Sequence, residues 1–405
     1  MTLVSTLRAA VDVDAVVALT RDLVQIPSEN PGGCEAEVVS YLQDVFEEMG
    51  LGRGQIVEVV EGRRSLIVST GDGSGNKPRL LINGHLDVVP VQPNGWRFPP
   101  YGAEVSNGRI YGRGTTDMKG GVAAAIHGLK VCQDLGLTLP CEVTFHLVAD
   151  EELGGRLGTK VLVEQGIISA DACVVAEPTD LKLCLGERGL LFAKIVTRGV
   201  PAHGSEPSLG RSAILVAASI AQVLHNNTFT GDPHPLLGTT TCNVGVINGG
   251  SGPNVVPEWC EMLIDRRVLP GESLESTLAG IHQRIATLEL APDEYSVEVQ
   301  TFCEPSEISA SEGFVSVMSD TVTAMTGRRP AITGLPFTTD ARFMRNDLGI
   351  PTVVFGPGEL AVAHTVDEYV EVDSLVEAAS VFAGLYATFD GADSALLPLE
   401  KKASL

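Results

Sequence analysis

Basic residues are in short supply: 28 Lys and Arg stand against 51 Asp and Glu, a formal charge of −23. The long-range field of such a chain repels nucleic-acid phosphates and anionic lipid surfaces, which argues against a nucleic-acid partner. Paired thiols are missing as well. The eight cysteines lie far apart, never as Cys-x-x-Cys, and several sit in apolar runs such as Asp171-Ala-Cys-Val-Val. They read as buried, reduced thiols, because 405 residues bury a large core without disulfide staples. No stretch approaches the about 18 apolar residues of a membrane span. The start of the chain also lacks signal-peptide texture, since Asp12, Asp14, Arg21 and Asp22 interrupt its apolar pattern. These absences predict an acidic, cytoplasmic protein with no membrane partner. The acid excess itself is ambiguous, because carboxylates both solubilise surfaces and bind divalent metals.

What is present alternates strand and helix signals. Residues 11–24 and 36–49 carry apolar side chains at helical spacing, separated by Ile26-Pro-Ser-Glu-Asn-Pro-Gly-Gly. Short apolar runs at 79–89, 141–149 and 172–176 read as strands buried on both faces, and small-residue or amphipathic segments at 121–131 and 158–165 read as helices. That order predicts an α/β fold with a mainly parallel sheet. After Glu187 the texture becomes strand 190–196, helix 210–225, strands 240–248 and 259–266, helix 274–288 and strand 295–300, a split α+β pattern of ferredoxin type. Residues 331–357 return to signals that would complete the first sheet. The expected division is therefore a catalytic domain over 1–188 and 304–405, interrupted by an inserted domain over 189–303.

The residues that carry chemistry fall at the ends of these strands. His85 and Asp87 close the first buried run; at i and i+2 on a strand they would share a face, letting the carboxylate accept the imidazole N–H not used on a metal. Standing alone, the pair reads equally well as a satisfied core histidine. Asp117 lies in the glycine-rich loop Gly112-Arg-Gly-Thr-Thr-Asp-Met-Lys-Gly-Gly, which lacks the Gly-Lys-Ser/Thr of a phosphate-binding loop. Asp150-Glu151-Glu152 ends the second strand, and three successive acids repel one another unless a cation sits among them. Glu177 ends the third strand, where open α/β sheets converge on their ligands, and His364 lies in a loop near the end of the sheet. Two histidines plus carboxylates, without thiolate, make a donor set for Zn²⁺, Co²⁺ or Mn²⁺. Five candidate ligands suit two ions better than one, with a spare glutamate as general base.

Together, Gly84-His-Leu-Asp-Val-Val-Pro, the Asp117 loop, Asp150-Glu-Glu-Leu-Gly-Gly, Ala176-Glu-Pro and Ala363-His resemble the M20 metallopeptidases, a family with acetylornithine deacetylases, succinyl-diaminopimelate desuccinylases, aminoacylase-1 and glutamate carboxypeptidases. The resemblance implies a zinc-peptidase catalytic domain with a ferredoxin-like lid that forms a homodimer. It implies two Zn²⁺ per subunit, replaceable by Co²⁺: His85 and Glu177 on one, Glu152 and His364 on the other, Asp117 bridging. Glu151 would be the general base and Asp87 would orient His85. In the lid, His203 resembles the histidine that in relatives reaches the partner subunit's active site and helps stabilise the oxyanion, and Asn254 and Arg267 resemble contacts to a substrate carboxylate.

Two departures bear on substrate. Glu177 stands where the peptide-cleaving carboxypeptidases commonly carry aspartate. Gly186-Glu187-Arg188-Gly189 stands where desuccinylases show Gly-Arg-Arg-Gly; reversing that charge disfavours a diacid and suits a cationic acetylornithine-type substrate, unless Glu187 faces solvent. The expected activity is removal of a small acyl group from an N-acyl amino acid. The alternatives are a carboxypeptidase or dipeptidase acting on short peptides, or a deformylase or amidohydrolase of a non-amino-acid amide.

Overall fold

The computed structural model describes residues 2–71, 75–229, 231–291 and 293–392. The described residues of Met1–Leu185, Ile308–Thr333 and Thr339–Leu405 form one compact unit, and those of Gly186–Glu307 and Gly334–Thr338 form another. The short piece Gly334–Thr338 joins the second unit although residues 331–357 read as part of the first sheet.

The first unit opens with two helices, Leu3–Ala10 and Val13–Gln25, where sequence periodicity predicts one starting at residue 11. Asp12 explains the break: its carboxylate accepts from Ala15 N at 3.1 Å and caps the second helix. The sheet runs Gln55–Val60, Arg63–Ser69, Glu142–Val148, Arg79–His85, Ala172–Val175, Thr352–Val354, Leu183–Glu187. Its four central strands, from Glu142–Val148 to Thr352–Val354, are parallel, and its flanks are antiparallel. Strand Arg79–His85 lies at the centre and is buried from Leu80 onward, as its unbroken apolar run requires. Helices Lys119–Asp134 and Val372–Thr388 pack closely because Gly128 lets Phe382 approach; a Cβ there would stand 2.8 Å from the Phe382 Cβ. Phe145, Phe382 and Tyr386 are among the large side chains of this core.

The parallel centre has a consequence for chemistry. His85 ends its strand, Asp150 follows Val148 by two residues, and Glu177 follows Val175 by two. Glu151, Glu152 and Glu177 therefore leave carboxyl ends of neighbouring strands, while Asp117 comes from the loop before helix Lys119–Asp134. The break in this unit is narrow, since Ile308 N donates to Leu185 O at 2.8 Å.

The second unit has the order strand Gly189–Arg198, helix Ala213–Leu224, strands Cys242–Gly249 and Trp259–Val268, helix Leu274–Ala286, strand Tyr295–Cys303. Its antiparallel sheet runs Cys242–Gly249, Trp259–Val268, Gly189–Arg198, Tyr295–Cys303, the ferredoxin-like arrangement. Alternate residues Cys260, Met262 and Ile264 join Ile220 and Ile281 from the helices in a separate core. The unit's first and last strands are neighbours, with Leu190 paired to Cys303.

Candidate metal centre

Six side chains of the first unit converge. His85 Nδ1 donates to the Asp87 backbone carbonyl at 2.8 Å, which places a proton on Nδ1 and turns Nε2 toward the acids. That Nε2 lies 2.9 Å from Asp117 Oδ1 and 3.6 Å from Glu177 Oε1. His364 Nε2 lies 3.1 Å from Asp117 Oδ2 and 3.2 Å from Glu152 Oε2. Asp117 thus divides its two oxygens between the two histidines. Donor atoms of His85, Glu151 and Glu177 lie within 4.8 Å of one another, as do those of His85, Asp117 and Glu152.

The loop that presents Asp117 is held from outside the cluster. Glu368, fully buried, accepts from Gly114 N at 2.9 Å, Thr116 N at 3.0 Å and Asp117 N at 3.2 Å. Arg113 pairs with the other Glu368 oxygen and donates to the carbonyls of His364 at 3.3 Å and Thr365 at 3.4 Å. One buried ion pair therefore ties the Asp117 loop to the His364 segment. Lys119, two residues on, donates its Nζ to Leu23 O at 2.9 Å and Ile26 O at 2.7 Å, closing the carboxyl end of helix Val13–Gln25.

Asp87 corrects an expectation. Its carboxylate was predicted on the His85 ring, but Oδ1 stands 3.7 Å from Nδ1, and the backbone carbonyl makes that bond instead. The strand ends at His85, so the i, i+2 alternation does not extend to Asp87. The carboxylate accepts from Glu151 N and Glu152 N, each at 3.2 Å, and from Asn30 Nδ2 at 2.9 Å. Asp150 stays out of the cluster, taking Leu157 N at 3.0 Å and Asn30 Nδ2 at 3.2 Å.

The electrostatics are those of crowded, buried acids. Burial pushes Glu177 well above the ordinary carboxylate range, with Asp117 adding to it, and burial likewise raises Glu151 and Glu152. Burial also raises Asp117, but its hydrogen bonds to His364 and His85 outweigh that and hold it low. His364 is pushed up to about 10 by its bonds to Asp117 and Glu152. Burial disfavours charge on His85, yet Asp117 and Glu177 raise it well above 6.5. The buried Glu152 Oε1 has no hydrogen-bond partner. An oxygen and nitrogen donor set with an orphaned carboxylate oxygen fits divalent cations.

These residues lie within the span of a known family model. Residues 81–388 match the model of peptidase family M20/M25/M40. The chain belongs to the M20 peptidase family. This M20 chain is 34% identical over 342 residues to an acetylornithine deacetylase of Myxococcus xanthus, covering 82% of this chain and 85% of that one. It is 25% identical over 396 residues to a probable succinyl-diaminopimelate desuccinylase of Staphylococcus aureus strain MSSA476, covering 90% and 95%. Its fold matches the M20 family metallo-carboxypeptidase Sso-CP2 of Sulfolobus solfataricus with a TM-score of 0.76 at 21% identity, covering 92% of this chain and 99% of that one. It is a metal-dependent amidohydrolase.

In the second unit of the M20 chain, His203 Nδ1 accepts from Ser205 N at 3.2 Å, so its proton sits on the exposed Nε2. Gly204 N donates to Asn254 O at 2.8 Å, bringing the His203 and Asn254 loops together. Arg267 pairs with Asp265 at 3.0 Å. Glu187 is fully buried and accepts from Ser306 Oγ at 2.8 Å, so it does not face solvent. Inward-facing positions on a strand require a partner for a carboxylate, and Ser306 on the paired segment provides one.

Sequence reasoning missed Asn30, Arg113, Glu368 and Asp340. Asp340 is buried, its carboxyl pushed up to about 6 by burial, and its charge acts on Glu151. A readable signal was present at Glu368, an acid four residues after His364 with Arg113 as the one basic group in the Asp117 loop before Lys119.

Proposed function

We propose that this enzyme hydrolyses the amide bond of a small N-acyl amino acid, an N-acetyl compound with a cationic side chain foremost. Two Zn²⁺ ions, with Co²⁺ as a substitute, would be held by His85 and Glu177, by Glu152 and His364, and by Asp117 between them. When bound, such ions polarise the amide carbonyl and lower the proton affinity of water. Glu151 takes one proton from the attacking water as the new C–O bond forms, and returns it to the amine nitrogen as the C–N bond breaks. Asp87 keeps the backbone of Glu151 and Glu152 in register. His203, with its proton on Nε2, donates to the developing oxyanion, and Asn254 and Arg267 contact the substrate carboxylate.

The observation that carries this reading is the Asp117 carboxylate, with one oxygen at His85 and the other at His364. Support for the acetyl group comes from the 34% identity to an acetylornithine deacetylase. The proposal includes a cytosolic homodimer formed through the second unit, supported by the exposed Leu209, Ile214 and Leu215 and the edge strand Cys242–Gly249. All eight cysteines are free, as a reducing compartment would keep them.

The test is a panel of N-formyl, N-acetyl and N-succinyl amino acids and dipeptides on zinc- and cobalt-loaded enzyme. The highest kcat/KM is expected for N-acetyl substrates, and a clear preference for dipeptides would overturn the assignment in favour of a dipeptidase. Replacing Glu151 by Gln should abolish turnover with zinc still bound; near-normal turnover would remove Glu151 from its role.

A further inference from the structure

The turn that carries Glu151 and Glu152 is held by a residue far away in the sequence. Asn30 is buried, 1% exposed, in the segment between the second and third helices. Its amide group is fully used. The Nδ2 group donates one hydrogen to Asp87 Oδ2 at 2.9 Å and the other to Asp150 Oδ1 at 3.2 Å, while Oδ1 accepts from Arg63 Nη2 at 2.7 Å. The orientation follows from chemistry, because a guanidinium only donates and a carboxylate only accepts. Arg63 is fixed in turn by Glu35 at 2.6 Å, and the Asn30 backbone by Val88 O at 2.8 Å.

Both carboxylates that Asn30 grips are structural to the turn. Asp87 accepts from the backbone amides of Glu151 and Glu152, and Asp150, at a φ of 69°, begins the turn and accepts from Leu157 N. Two buried carboxylates brought together repel unless a donor stands between them. A neutral amide with two hydrogens supplies that donor without adding a charge that would compete with ions for the acids. We propose that Asn30 is a positioning residue: through Asp87 and Asp150 it sets the backbone of residues 150–152, and so the aim of Glu151 and Glu152. The inference rests on the roles proposed above for those two glutamates.

The test compares Asn30→Ala and the isosteric Asn30→Asp with wild type, in kcat and KM on the best N-acyl amino acid of the panel. Zinc affinity is measured alongside by competition with a chromophoric chelator, a readout that needs no substrate. Loss of an outer hydrogen bond of this kind is worth about 10–100-fold in activity or metal affinity. Folded variants should lose about that much in kcat, with KM within about threefold, and should bind zinc at least about tenfold more weakly. Variants with a lower melting temperature but wild-type kcat and zinc affinity would reduce Asn30 to a stabilising contact and overturn the proposal. Should neither variant fold, Asn30→Ser decides: its single hydroxyl hydrogen can serve only one of the two carboxylates, so kcat and zinc affinity should each fall at least about tenfold, and no change overturns the proposal. If wild type cleaves nothing in the panel while the Asn30 variants still lose zinc affinity, the functional reading fails and the positioning role stands.

Discussion

Gly155 gives the sharpest quantitative test of how the glutamate turn is held. Its φ is +66°, and an added Cβ would fall on Asp340 Oδ1 and 3.0 Å from Phe343 Cε2. Gly50 is the natural control, with a φ of +75° and nothing within 4 Å of such a Cβ. An alanine in the left-handed region costs about 1–2 kcal/mol at either site. At Gly155 overpacking against a buried carboxylate and a ring adds about 1–3 kcal/mol. Gly155→Ala should therefore destabilise by about 2–5 kcal/mol and Gly50→Ala by about 1–2 kcal/mol. With about 2–4 °C of melting temperature per kcal/mol in a unit of this size, calorimetry separates the two variants readily. Activity should separate them further. Asp340 is tethered by Thr159 Oγ1 at 2.5 Å, so part of the strain of Gly155→Ala falls on the turn, where a displacement of about 1 Å at a reacting group can cost about 100-fold. Gly50→Ala should keep full kcat. Equal losses of melting temperature and unchanged kcat in both variants would refute tight packing of this turn against Asp340 and Phe343.

Other perturbations have equally definite outcomes. His146 is buried and burial lowers its pKa to about 4, against about 6.5 when unfolded. Between those values the unfolded chain binds a proton that the folded chain refuses, so stability falls as pH drops from about 6.5 to 4 and is flat above. His146→Leu should remove a slope on the order of 3 kcal/mol over that window in urea titrations; an identical acid limb in both proteins would contradict it. Lys119→Met strips the donors from Leu23 O and Ile26 O, which should cost about 2 kcal/mol and speed amide exchange at residues 23–28. Chelation should abolish turnover and lower the melting temperature of the first unit, since the clustered acids lose their counter-charge, with zinc or cobalt restoring both. If the proposed dimer forms through the second unit, Leu215→Asp should shift light-scattering mass to the monomer, and an unchanged dimer mass would count against that interface.

The strand-end acids were legible because chemistry there depends on residue type and local spacing. Short apolar runs announced the central strands, and Asp117, Glu151, Glu152 and Glu177 follow from glycine-rich or acidic punctuation next to them. The parallel register that brings His85, Glu177 and the glutamate pair to one edge follows from strand order alone. The supports were not legible for a physical reason. Asn30 meets Asp87 across 57 residues and Asp150 across 120, and Glu368 meets the Asp117 amide across 251. Such bonds leave no periodic trace, and any buried amide or acid reads the same until the fold supplies its partner. Asp87 shows the converse: its proximity in sequence to His85 predicted a side-chain bond, and the end of the strand at His85 gave that bond to the backbone carbonyl instead.

The narrow break in the first unit bears on how the chain folds. Joining Leu185 to Ile308 across a flexible loop of this length would carry a closure entropy that grows with the logarithm of loop length. Here the intervening chain is itself a module whose first and last strands lie side by side, with Leu190 opposite Cys303. Once that module has formed, its two exits already stand next to each other, and the hydrogen bond from Ile308 to Leu185 closes a loop that has effectively no length. The second unit therefore acts on the first as a covalent staple, and its early formation would shorten the search that brings the two distant parts of the catalytic sheet together.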